Sequence, residues 1–183
     1  MLCVLVTALY SAGQFVLFSY FAPYYKATFD ITPTQLSLMF AWFGAFGFLG
    51  NLWVTRNIER LGPARTVLMA MGSIALSLLF WPLGTSLLLT ALVLIPWALG
   101  CFSANSAQQA RLSGMAPALT SGSIALNTSA MYAGQAVGAI SGGWLIAHGQ
   151  MSNLHWAGLG GLLLAMAVSM LATRVQTRQA PVT

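Results

Sequence analysis

Seven hydrogen-bonding or ring-bearing side chains stand among apolar residues in this sequence: Tyr10, Gln14, Trp97, Asn105, Asn127, Tyr132 and Gln135. None is charged at neutral pH, so the chemistry open to them is recognition by hydrogen bonding and stacking. At 100° per residue, Asn127, Thr128, Met131, Tyr132 and Gln135 share one arc, while Leu126, Ala133, Val137, Ile140 and Trp144 lie opposite. Beside that arc run Gly134, Gly138 and Gly142. A small residue at every fourth position lets two membrane helices approach closely. Tyr10 and Gln14 share about a third of another helix with Thr7, Ser11 and Tyr25, and Leu5, Leu9 and Val16 face away. Trp97, Cys101, Asn105 and Gln108 form a stripe on a third helix, near Pro96 and Gly100. Polar groups at membrane depth are costly and face a bundle interior or a watery path. A shared solute pathway is expected. For any single residue, interhelical hydrogen bonding is the competing reading.

Other chemistries lack their residues. The carboxylates, Asp30 and Glu59, both fall between apolar runs, so no proton relay is built from this chain alone. Cys3 and Cys101 have no ligand at metal spacing, so no disulfide, metal or cofactor is expected. His148 and His155 flank a polar turn, and no serine partners them at matching depth. There is no phosphate-cradling glycine loop. The expectation is a protein that is not an enzyme.

The elements that hold these residues follow from composition. The chain has 183 residues, 58% hydrophobic and 5% charged, against about 25% charged in soluble domains. Mean hydropathy is +0.79. An all-α polytopic membrane protein is expected, with spans near 2–25, 35–55, 66–83, 87–107, 119–146 and 154–172, and a polar tail over 174–183. Turns are read at 26–33, 82–86 and 147–153, with Thr32 or Thr34 capping a helix beside Pro33. The opening run has no basic leader or cleavage site, and its abrupt start raises the expectation that more chain precedes it. Arg56, Arg60, Arg65, Arg111, Arg174 and Arg178 fall on one side of this topology and only Lys26 on the other. Positive residues stay inside, so both termini are expected in the cytoplasm. The net charge of +5 is thereby explained without nucleic acid. Trp81 and Trp156 are expected at the membrane interfaces.

Four of the charges cluster in 50–65, read as a cytoplasmic loop after the second span. Gly50-Asn51, Glu59-Arg60-Leu61-Gly62-Pro63 and Arg65 resemble the loop between the second and third helices of a half in the major facilitator superfamily. Glu59 stands where that pattern has Asp, Val54 and Thr55 where it has glycines, and Ala64 where it has a basic residue. The stretches 18–23 and 117–143 are similar to the seventh and eleventh helices of a twelve-helix transporter of the drug and sugar efflux branch. The resemblance spans essentially the whole chain. It implies a C-terminal six-helix half, built from two inverted three-helix repeats, with substrate near the midplane. It further implies ion-coupled efflux of a small organic solute by rocking against a second bundle, with Glu59 and Arg60 at a cytoplasmic latch. The implied setting is a bacterial inner membrane. Implied partners are the lipid bilayer, the substrate, and an N-terminal half or second copy. The alternative is a membrane protein that does not transport, an inactive remnant or an accessory subunit.

Overall fold

Proline and glycine punctuate this chain. The computed structural model describes residues 2–115 and 117–179. The side chain of Arg178 and residues 180–183 of the expected tail lie outside the described residues. Secondary structure among the described residues is wholly helical: α1 (Leu2–Phe18), α2 (Phe21–Phe29), α3 (Pro33–Leu61), α4 (Pro63–Leu79), α5 (Leu87–Met115), α6 (Thr120–Ala147) and α7 (Leu154–Gln179). Short 3-10 turns at Trp81–Leu83, Pro117–Leu119 and Met151–Asn153 join some of them.

The run expected as one helix over 2–25 is two. Pro23 has no N–H to offer the Ser19 carbonyl, and the chain breaks at Ser19 and Tyr20 before resuming to Phe29. Asp30 ends α2 in the left-handed region, at φ 48°. Of the two candidate caps, Thr32 is the one used: its hydroxyl accepts from the Gln35 N–H at 3.3 Å, and the Gln35 side chain accepts from the Thr32 N–H at 2.8 Å.

The 50–65 stretch is not a loop. α3 runs through it to Leu61 and α4 begins at Pro63, leaving Gly62 as the whole corner. Gly62 has φ 80°, open to glycine, and Pro63 supplies a ready first helical residue. Glu59 and Arg60 therefore occupy the last turn of α3 and Arg65 the first turn of α4, all exposed. Arg111, also expected in a loop, is inside α5 and only 4% exposed. Its guanidinium donates to Ser169 Oγ and Thr173 Oγ1 of α7, each at 3.0 Å.

Four helical stretches are long and apolar enough to cross a membrane: Leu2–Phe29, Pro33–Leu61, Leu87–Met115 and Met151–Gln176. Pro63–Leu79 is apolar but shorter. α6 has the length but is not among these four stretches.

Packing is set by glycine. A Cβ on Gly134, Gly138 or Gly142 would strike the carbonyl oxygens of Ala8, Ala12 and Val16, so α6 lies directly on α1. Gly50 of α3 meets the Leu99 carbonyl of α5 in the same way. Gly100 of α5 meets Ala70 of α4, and Gly13 of α1 meets Gly158 of α7. Exchanging α1 with α5, α3 with α6 and α4 with α7 carries these pairings onto one another: α1 packs on α6 and α7, α5 on α3 and α4, and α4 on α7. Gly13 then corresponds to Gly100, Gly50 to Gly138 and Ala70 to Gly158.

Pro96 lies inside α5, where it removes one hydrogen bond of the ladder. Ser77 Oγ donates to the Val93 carbonyl at 2.5 Å, and Ser73 Oγ donates to the carbonyl of Pro96. Neighbouring hydroxyls thus satisfy backbone around the irregularity. At one end of the bundle, Phe18, Phe21, Tyr25, Trp81 and Trp97 form an aromatic cluster, with Phe21 and Trp81 stacked at 5.8 Å. Trp81 is 2% exposed, so it is a core residue and not the interfacial anchor expected; Trp156 is exposed.

Candidate functional site

Four helices line an open-sided cavity of about 390 Å³. The glycine seams place its walls: α6 is drawn onto α1 by Gly134, Gly138 and Gly142, and α3 onto α5 by Gly50. Between these two pairs, α1 contributes Tyr10, Gln14, Phe15 and Phe18, and α5 contributes Cys101, Phe102, Asn105 and Ser106. α6 adds Met131, Tyr132 and Gln135, and α3 adds Phe43 and Asn51.

Five of the seven expected residues meet here: Tyr10, Gln14, Asn105, Tyr132 and Gln135. Tyr132 is 61% exposed on the open side, whereas Gln14 is 4% exposed in the floor. Their polar atoms are incompletely satisfied. Gln14 Oε1 and Asn105 Oδ1 are buried without a hydrogen-bond partner.

Two expected residues lie elsewhere. Trp97 is fully buried in the aromatic cluster, its ring 5.2 Å from Phe21 and 5.8 Å from Trp81, and does not line the cavity. Asn127 is fully buried between α1 and α6, where its Oδ1 accepts from the Thr7 hydroxyl at 2.5 Å. It pins a helix pair. Val16, expected to face away from the polar arc of its helix, is buried under Gly142.

Sequence reasoning missed Asn51 and Ser106 as lining residues. Ser106 Oγ donates to Asn51 Oδ1 at 2.7 Å, joining α5 to α3 across the cavity wall. Asn51 falls inside the charged 50–65 stretch in sequence, yet it sits one residue from the packing glycine Gly50. Phe15, Phe18, Phe43 and Phe102 gave no signal beyond hydrophobicity.

No ionised side chain lines the space. Glu59, Arg60, Gly62 and Arg65 stand at the α3–α4 corner, outside it. His148 Nδ1 is 2.8 Å from the Trp144 carbonyl, and His155 is buried against Trp156; neither lines the cavity. Among the described residues no group of three or more His, Cys, Asp or Glu side chains could hold a metal ion. A larger groove of about 460 Å³ runs between α3, α4 and α5. Leu49, Trp53 and Met69 on its rim are exposed and apolar, and it gathers fewer hydrogen-bonding groups than the cavity, so it is the poorer candidate for recognition.

The arrangement can hold a small molecule between rings and amides. The family model described as Major Facilitator Superfamily matches residues 3–182. An uncharacterized MFS-type transporter of Bacillus subtilis (strain 168), YbcL, is 26% identical over 176 residues, an alignment covering 96% of this chain and 45% of that protein. The chain thus spans about half the length of this curated relative.

Proposed function

Because the chain belongs to the major facilitator superfamily, we propose that this membrane protein carries a small organic solute through the cavity between α1, α3, α5 and α6. One observation carries the reading: Gln14, Asn105 and Gln135, from three different helices, converge on a single uncharged space among apolar helices. Gln14 Oε1 and Asn105 Oδ1 are buried without partners; unpaired amides at membrane depth destabilise a fold, and a polar solute that must pass them gives them partners.

In its finer form the proposal is a six-helix, C-terminal half of a twelve-helix transporter, similar to the drug and sugar efflux branch. The 45% coverage of the relative supports a half, and the exchange of packing partners supports two three-helix repeats. We read α4 and α6 as spans beside the four apolar stretches. Both termini then face the cytoplasm of a bacterial cell, with Arg56, Arg60 and Arg65 on that side. Transport is ion-coupled efflux by rocking against an N-terminal half or a second copy, with Glu59 and Arg60 as the latch between them. The absence of a carboxylate from the cavity favours a second reading, an accessory or inactive half whose coupling residues, if any, lie on its partner.

Native mass spectrometry of the chain in nanodiscs identifies the assembly, and solute flux is then measured in vesicles containing it. Gln14→Leu with Asn105→Leu is expected to slow flux at least tenfold while membrane insertion is kept. Flux indifferent to both changes removes the cavity from the pathway and leaves the accessory reading.

A further inference from the structure

We propose that the groove between α3, α4 and α5 is a phospholipid site, with one acyl chain lying in the groove and an anionic headgroup against Arg56, Arg60 and Arg65. The proposal stands apart from the transport reading, since it needs only that these helices lie in a bilayer.

The groove follows from how the corner is made. α3 and α4 are joined by Gly62 alone, yet each packs chiefly on α5 and little on the other. The space left between them, about 460 Å³, is floored by Leu99, Gly100 and Ser103 of α5. At 100° per residue these three lie on a different face of α5 from Cys101, Phe102, Asn105 and Ser106, which line the cavity. The groove is a separate recess. Its hydroxyls are all turned to backbone: Thr66 Oγ1 donates to the Gly62 carbonyl at 3.0 Å, Ser103 Oγ to the Leu99 carbonyl at 2.5 Å, and Ser73 Oγ to the Pro96 carbonyl. No side chain lining it is among those with a buried polar atom left unpartnered. A polar solute finds no waiting partner there, whereas hydrocarbon gives up no hydrogen bond on entering. The rim residues Leu49, Trp53 and Met69 are apolar and about half exposed.

Charge names the occupant. Arg56 lies two helical turns beyond Leu49 and Arg60 two turns beyond Trp53, so both continue the groove's stripe on α3; Arg65 lies one turn before Met69 on α4. All three are exposed. At 1.5 Å per residue, Arg60 stands about 10 Å past Trp53, which takes its charge from the edge of the hydrocarbon to headgroup level. Trp53, between the two, is a side chain suited to that boundary. Three arginines against the one carboxylate Glu59 leave two net positive charges at this corner. A phospholipid with an anionic head meets both halves of the site at once, hydrocarbon in the groove and phosphate at the arginines. A second copy docked through the same face would bring its own arginines against these, and like charges would oppose it.

The test is native mass spectrometry of the full chain in micelles, titrated with phosphatidylglycerol or phosphatidylcholine of identical acyl chains. One phosphatidylglycerol is expected to be retained per chain, at least fivefold more tightly than phosphatidylcholine. Arg56→Gln and Arg65→Gln are each expected to weaken its retention roughly fivefold, the order known for one basic residue at an anionic lipid surface. Ser103→Phe, which puts a ring into the groove floor, is expected to abolish retention with the arginines intact. Glycerol phosphate, the headgroup without its chains, is expected not to displace the lipid. Should Ser103→Phe fail to fold, the headgroup preference and the arginine variants decide the matter. Equal retention of the two lipids overturns the proposal, as does a preference untouched by both arginine changes together. Displacement by glycerol phosphate, or full retention in a folded Ser103→Phe chain, removes the groove from the site. A lipid-free dimer that Ser103→Phe disperses would give the groove to a second copy and overturn the proposal as well.

Discussion

Replacing Gly138 by alanine isolates the contribution of close helix approach. The added methyl would collide with the Ala12 carbonyl oxygen of α1 and would lie 3.0 Å from Cβ of Phe15. Both are backbone or backbone-adjacent atoms, so no side-chain rotation relieves them and α6 must move away from α1. Overpacking of this kind costs about 1–3 kcal/mol. Alanine returns up to about 1 kcal/mol of helix propensity, so the expected net loss is about 1–2 kcal/mol. For a chain of this size, that lowers the thermal midpoint by roughly 3–6 °C. Gly160→Ala is the control, because nothing lies within 4 Å of a Cβ built there. It should leave the midpoint unchanged or raise it slightly. The assay is thermal unfolding of both variants in the same nanodiscs. If Gly138→Ala proves as stable as Gly160→Ala, the seam is not in close contact and the placement of the cavity wall by glycine fails with it.

Thr7→Val is expected to destabilise by about 0.5–2 kcal/mol, since it leaves the buried Asn127 Oδ1 without its donor. Adding Asn127→Leu should recover part of that loss, and a double-mutant cycle by chemical unfolding in mixed micelles checks the coupling; additive losses would disprove the pair. Gly62→Ala is expected to cost about 1 kcal/mol through strain at φ 80°, since open space around its Cβ leaves no steric cause; an unchanged midpoint refutes the one-residue corner.

Much of the site was legible in residue spacing, and the misplacements have a physical cause. Asn127 lies seven residues before Gly134, close to two helical turns, so it falls on the glycine line facing α1. Tyr132 and Gln135 fall beside that line, where the cavity opens. The polar arc on α6 contains both situations, and only the position of α1 separates them. Trp97 shares a stripe with Asn105, yet the aromatic cluster at Phe21 and Trp81 captures it; that depends on the α4–α5 connection, which composition does not reveal. The 50–65 stretch misled for a different reason. Its clustered charges suggest a loop, whereas exposed arginines are compatible with helix and Gly62 alone makes the turn. The exchange of packing partners escaped the sequence because it rests on matched small residues, Ala70 with Gly158 and Gly13 with Gly100, and not on matched words.

The pairing of α1 with α6 and α7 has a consequence for synthesis. α1 is the earliest of these elements to leave the ribosome, and its main partners are the last two. At about 5–20 residues per second, α7 follows it by on the order of ten seconds. During that interval α1 lacks the α6 and α7 seams that later cover it. A stall before α6 leaves α1 without the two helices it packs on most.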